Sequence, residues 1–233
     1  MKTIGLLGGM SWESTLEYYR IINRRVQRLL GGLHSAEILL YSLDFHQIEI
    51  LQRANEWQRL SVIMVQGARR LQDAGADFLV MATNTMHKLA DDIESNLSIP
   101  LLHIADATAA EIRKQGLNRI GLLGTRFTME EDFYRGRLTG RHDLEVMLPK
   151  QEDRDLIHGV IYGELCRGVV RGDSEREFYR IISELSRAGA QGIILGCTEL
   201  SMLVKPAGYA IPLFDTTEIH ARRAAESALE TSD

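Results

Sequence analysis

Short apolar runs bounded by Gly or Pro alternate along the chain with longer segments whose hydrophobic positions recur at helical spacing. Runs without polar alternation are strands buried on both faces, and the periodic segments between them are the crossover helices that join parallel neighbours. The pattern predicts an α/β fold with strands over 3–8, 37–43, 77–81, 101–103, 119–124, 144–147, 192–195 and 211–213.

The pattern occurs twice. Thr3-Ile4-Gly5-Leu6-Leu7-Gly8-Gly9 returns as Arg119-Ile120-Gly121-Leu122-Leu123-Gly124-Thr125, and the stretch from Gly75 through Thr83-Asn84-Thr85 returns from Gly189 through Cys197-Thr198-Glu199. A third echo pairs Ile99-Pro100-Leu101 with Ile211-Pro212-Leu213, where each proline fixes the entry to a strand. The order is preserved and the shift is nearly constant. The chain therefore reads as two pseudo-twofold-related domains, each an open parallel sheet. Ligands of such sheets bind beyond the carboxyl ends of the strands, so the active site is expected in the cleft between the domains.

Composition narrows what such a site serves. With 45% hydrophobic and 25% charged residues the chain matches a soluble globular protein, and 233 residues suffice for two domains. A net charge of −5 without a Lys/Arg cluster gives no support to nucleic-acid or anionic-membrane binding, and a small molecule is the expected partner. The apolar N-terminal run is cut short by Glu13 and reads as a strand and turn rather than a signal peptide. No run approaches the roughly 18 apolar residues of a membrane helix, so a cytoplasmic protein is expected. Two cysteines, Cys166 and Cys197, make no disulfide framework. The histidines never fall three to five residues apart, so no helix offers a metal a His pair, and no metal site is expected.

Two kinds of loop carry the candidate chemistry. Gly8-Gly9 turns into a helical segment near Ser11, where backbone N–H groups suit a carboxylate. G-x-G-x-x-G is lacking, which argues against a dinucleotide. Cys197 stands where a buried strand meets a helix, a position expected to lower a thiol's pKa. The repeat sets the hydroxyl and amide groups of Thr83-Asn84-Thr85 in the equivalent place. Asn84, Thr85, Thr125 and Thr198 are candidates to hold an α-carboxylate, or to cap helices. Glu199 is a candidate to contact the substrate, to hold the loop or to orient Cys197. Cys166, on a predicted helix without a repeat partner, reads as structural, as does His87.

Gly8-Gly9-Met10-Ser11-Trp12, Thr83-Asn84-Thr85 with His87, and Gly196-Cys197-Thr198-Glu199 together resemble the signature loops of the aspartate/glutamate racemases, over essentially the whole chain. Asp44-Phe45-His46-Gln47-Ile48-Glu49, with Gln52 and Trp57, further resembles the bacterial subgroup that includes broad-specificity amino-acid racemases. The resemblance implies cofactor-independent racemisation, without pyridoxal phosphate, by two residues flanking the substrate α-carbon. It implies a homodimer and adds Met10 and Gln52 as substrate contacts. It also implies an exchange of segments between the halves, with one domain formed by 1–98 plus 210–233 and the other by 99–209.

The chain departs from the family pattern at Thr83, where the family has cysteine. A thiolate is accessible near neutral pH and a threonine alkoxide is not, whereas the two groups are closer as proton donors. The expected assignment is Cys197 as the base facing the L enantiomer and Thr83 as the opposite-face proton donor, with aspartate or glutamate as the first substrates. Two alternatives stand beside it: a single-cysteine decarboxylase of the same fold, and an amino-acid-binding protein with reduced chemistry.

Overall fold

In the computed structural model, which describes residues 1–205 and 208–230, the eight expected strands form two sheets of four. The first holds β1 (Ile4–Gly8), β2 (Ile38–Ser42), β3 (Phe78–Met81) and β4 (Leu101–Leu102). The second holds β5 (Arg119–Gly124), β6 (Glu145–Met147), β7 (Gly192–Gly196) and β8 (Leu213–Asp215). Their orders, β2-β1-β3-β4 and β6-β5-β7-β8, are the same order written twice, and every pairing is parallel. The sequence repeat is thus a repeat of topology.

The apolar runs explain which strands are central. β1, β3 and β7 are buried along their whole length, while β2 and β6 at the sheet edges are half-buried or exposed. The two prolines play the same part in both halves. Pro100 O accepts the N–H of Leu79 and Pro212 O accepts that of Ile193, each at 2.9 Å, so a residue that cannot donate starts the ladder as an acceptor. This places β8 two residues beyond the start expected from the apolar run at Ile211.

The helices between strands bury one stripe each. In Trp12–Leu30 the buried positions Tyr18, Ile22 and Val26 recur every four residues, and in Gly172–Arg187 they are Ser174, Phe178, Ile181, Ile182 and Leu185. Each large apolar side chain so buried contributes on the order of 2 kcal/mol of transfer free energy. No helix among the described residues is long and apolar enough to cross a membrane.

The chain divides into two units, Met1–His103 together with the chain from His220 on, and Ile104–Ile219. The breaks therefore fall after His103 and after Ile219 rather than at 99 and 210, and residues 231–233 of the expected first domain lie outside the described residues. The reason is local. β4 hydrogen-bonds to β3 and β8 to β7, so each fourth strand stays with its own sheet. What changes unit is the helix that follows. Ile104, Ala105, Ala109 and Ile112 of Ile104–Lys114 pack into the second core, while Ala221, Ala224, Ala225 and Ala228 of Thr216–Leu229 pack with Ile4, Leu6, Tyr18 and Ile22 in the first.

Candidate active site

In the first unit the candidate residues gather at the carboxyl ends of the strands. Gly9, just past β1, has φ +89° and sits so close to the Leu43 backbone that a Cβ would lie 2.1 Å from its carbonyl oxygen; only glycine fits. Its N–H donates to Thr15 Oγ1 at 2.8 Å, and that hydroxyl donates to Ser11 O at 2.8 Å. The Gly9 N–H expected to meet a carboxylate is therefore committed to the protein. Ser11 caps the following helix by accepting the Ser14 N–H. Met10 is buried in a cluster with Ile48, Leu51 and Met86.

Gln52, on the helix Phe45–Arg53, is buried beside the same cluster. Its Nε2 lies 3.1 Å from Met86 Sδ, and its Oε1 has no hydrogen-bond partner among the described residues. Leaving a buried amide oxygen unsatisfied costs about 1–3 kcal/mol, which a ligand donor would recover.

After β3 the chain turns tightly, Thr83 N–H donating to Met81 O at 2.9 Å, and enters a 3₁₀ segment, Thr85–Leu89. Thr83, Asn84 and Thr85 are all buried. His87 lies beneath them at 1% exposure, with Nδ1 2.8 Å from Thr83 O. The ring stands edge-on to His103, centroids 4.5 Å apart, and 5.9 Å from His220. His220 accepts the Tyr18 hydroxyl proton at Nδ1 and donates from Nε2 to Leu102 O, each at 2.8 Å. Burial holds its pKa down at about 4, so it is neutral. The three imidazoles come from distant points of the sequence, which is why spacing alone did not reveal them. Among the described residues no group of three His, Cys, Asp or Glu side chains is arranged to hold a metal.

The second unit repeats the arrangement with different chemistry. Gly124 and Gly196 are register partners at the ends of β5 and β7, and a Cβ on either would meet backbone oxygen at 2.9 Å. Thr125 caps the helix Arg126–Glu130, its Oγ1 accepting the Thr128 N–H and lying 3.2 Å from Thr128 Oγ1. The capping role expected as an alternative for Thr125 is the one its contacts display. Cys197 follows β7, buried, and its Sγ–H donates to Glu199 Oε2 at 3.1 Å; the Thr198 hydroxyl donates to the same oxygen at 2.5 Å. Thr217 was not anticipated. Its buried Oγ1, just past β8, has no hydrogen-bond partner among the described residues.

The expected lowering of the thiol's pKa fails. Burial, then the Glu199 carboxylate, push the Cys197 thiol well above the ordinary thiol range, and the sulfur of Cys166 adds to the push. The helix meant to lower it is one turn, Leu200–Leu203, too short for aligned peptides to outweigh a carboxylate at hydrogen-bond distance. Cys166, assigned to structure alone, packs partly buried against the same core as Cys197.

Comparison with known proteins decides the family. The Asp/Glu/Hydantoin racemase family matches residues 7–224. The chain belongs to that family. Three relatives match over nearly the full length of both chains. A Yersinia pestis protein described as an Asp/Glu racemase candidate is 54% identical, with TM-score 0.94 over 99% of this chain and 100% of that one. PH1733 of Pyrococcus horikoshii OT3, described as an aspartate racemase homologue, is 35% identical, with TM-score 0.84 over 99% and 100%. The broad specificity amino-acid racemase RacX of Bacillus subtilis is 24% identical over 94% of this chain and 95% of its own. The architecture of two four-stranded parallel sheets is thus that of the Asp/Glu racemases, and Thr83 and Cys197 occupy equivalent strand ends within it.

Proposed function

We propose that the chain racemises an amino acid, with L-aspartate and L-glutamate the first candidates, by removing and returning the α-proton with its own side chains. The observation that supports this reading most directly is the Cys197–Glu199 contact: a thiol at a strand end, hydrogen-bonded to a carboxylate able to accept its proton. Because the resting thiol is protonated, Cys197 becomes a base only when Glu199, or the arriving substrate, takes that proton. Glu199 thereby makes Cys197 and itself one acid/base couple. The thiolate removes the proton of the L enantiomer, and Thr83 delivers one to the opposite face.

The carbanion formed between these steps is strongly basic, so a threonine hydroxyl suffices as its proton source although it is a poor base. Asn84, Thr85 and Thr125 supply donors to the α-carboxylate, where preorganised hydrogen bonds stabilise the developing enolate, on the order of 3 kcal/mol for one donor, while the Thr198 hydroxyl is engaged by Glu199 and leaves that set. The unsatisfied Gln52 Oε1 is suited to the substrate's ammonium or to another donor, and Met10 forms an apolar wall. An enzyme cannot shift an equilibrium between enantiomers of equal energy, so kcat/KM is the same in both directions. What differs between the faces is solvent exchange.

The test is α-hydrogen exchange in D₂O, followed by NMR across L and D amino acids. The reading requires L-aspartate or L-glutamate to exchange faster than its enantiomer and faster than it inverts. Equal exchange of both enantiomers removes the assignment of the two faces. No exchange together with tight binding makes the chain a binding protein, and CO₂ release from a malonate-type acid makes it a decarboxylase.

A further inference from the structure

We propose that His87 is a positioning residue for Thr83: its imidazole N–H, buried under the loop, fixes the peptide that carries the proton-donating hydroxyl. The inference rests on the racemase reading above. A carbonyl oxygen only accepts, so the 2.8 Å contact from Nδ1 to Thr83 O places a proton on Nδ1. The backbone N–H of His87 also donates to Asn84 O at 3.1 Å. One residue thus holds two successive carbonyls of Thr83-Asn84-Thr85.

The ring has little room to move. At 1% exposure it is packed edge-on between His103 and His220, and His220 is locked in turn by Tyr18 and the Leu102 carbonyl. Rotating the peptide after Thr83 would break a buried hydrogen bond, so the direction of the Thr83 side chain is set by a rigid pillar. The second half uses another device. The residue equivalent to His87 is Ser201, whose hydroxyl donates at 3.2 Å to Thr198 O, one position beyond the carbonyl of Cys197. A thiol that hydrogen-bonds its own carboxylate needs no brace behind it, whereas a hydroxyl that must meet a carbanion in one orientation does.

The experiment compares His87→Asn, His87→Gln and His87→Phe in two assays on L-aspartate and L-glutamate: α-hydrogen exchange in D₂O and formation of the D enantiomer. The amide nitrogen of asparagine falls where Nδ1 lies, and that of glutamine where Nε2 lies. His87→Gln and His87→Phe should lose inversion by about tenfold to a hundredfold, in kcat rather than KM, while keeping exchange on the L face. His87→Asn should restore most of the inversion. Asparagine and glutamine are both polar and small, so their contrast survives if His87→Phe fails to fold. Exchange and inversion falling in proportion, or glutamine matching asparagine, overturns the positioning role alone. Absence of exchange in the unmodified protein overturns the racemase reading and this inference together.

Discussion

The loops after β3 and after β7 stand at equivalent strand ends and differ in what their candidate side chains contact. Thr83 is held from behind, through its carbonyl, by the His87 imidazole within a cluster of three histidines. Cys197 is engaged from in front, its sulfur donating to the carboxylate two residues on. The first contact is made to the backbone carbonyl and not to the hydroxyl. The second supplies an acceptor and raises the thiol's pKa. Under the proposed reading, the two halves have diverged into one position that gives a proton and one that takes it and gives it back.

The strongest way to break this comparison is to remove each reactive group in turn. Cys197→Ser should lower both L-face exchange and inversion by about a thousandfold, because both begin at the base. Thr83→Ala should lower inversion by about a hundredfold but leave L-face exchange within about threefold, because exchange starts and ends at Cys197. Parallel NMR and polarimetry on the two variants give the answer. If Thr83→Ala abolishes exchange as well, the two positions are not separable and the asymmetry is wrong.

A second experiment separates the two things Glu199 does. Its negative charge helps to hold the Cys197 thiol above the ordinary range, so Glu199→Gln should bring the thiol's pKa down toward that range, with burial still keeping it raised. Thiolate is then more abundant at any pH below the titration, and alkylation by iodoacetamide near pH 8 should run severalfold faster, its pH profile displaced to lower pH. Racemisation should fall by about tenfold over the same range, because the carboxylate that received the proton is gone. Opposite responses are the signature. Alkylation that slows in step with racemisation would mean that Glu199 only holds the loop.

Much of this was legible before any coordinates. The repeated apolar runs located eight strands, and aligning the halves set Thr83 against Cys197, because parallel strands and their loops leave a direct imprint on sequence. Three things were not legible. The direction of the thiol's pKa depends on burial and on where a carboxylate folds back, and Cys197-Thr198-Glu199 by itself is compatible with either sign. The histidine cluster joins positions 87, 103 and 220, which no periodicity connects. The unit boundaries depend on which core the helices after β4 and β8 enter, and an alanine-rich face such as that of Ala221, Ala224, Ala225 and Ala228 states only that it packs closely, not where.

The smallest expected effect concerns the strand ends themselves. In the first half the residue before the reactive one is Ala82, fully buried, its methyl group part of the core with Ile4 and Val80. In the second half it is Gly196, where an added Cβ would approach Leu123 O to 2.9 Å and Leu122 Cδ1 to 3.0 Å. One of these atoms is backbone and cannot swing away, so Gly196→Ala should cost about 1–3 kcal/mol of stability and displace the Cys197 loop. Ala82→Gly adds only backbone freedom and removes one methyl group, for about 1 kcal/mol, and Thr83 should stay in place under the hold of His87. Urea denaturation measures the first difference and L-face exchange the second. Gly196→Ala should slow exchange by a few-fold while Ala82→Gly keeps it. If both variants slow it equally, the thiol loop is no more dependent on close strand packing than the hydroxyl loop.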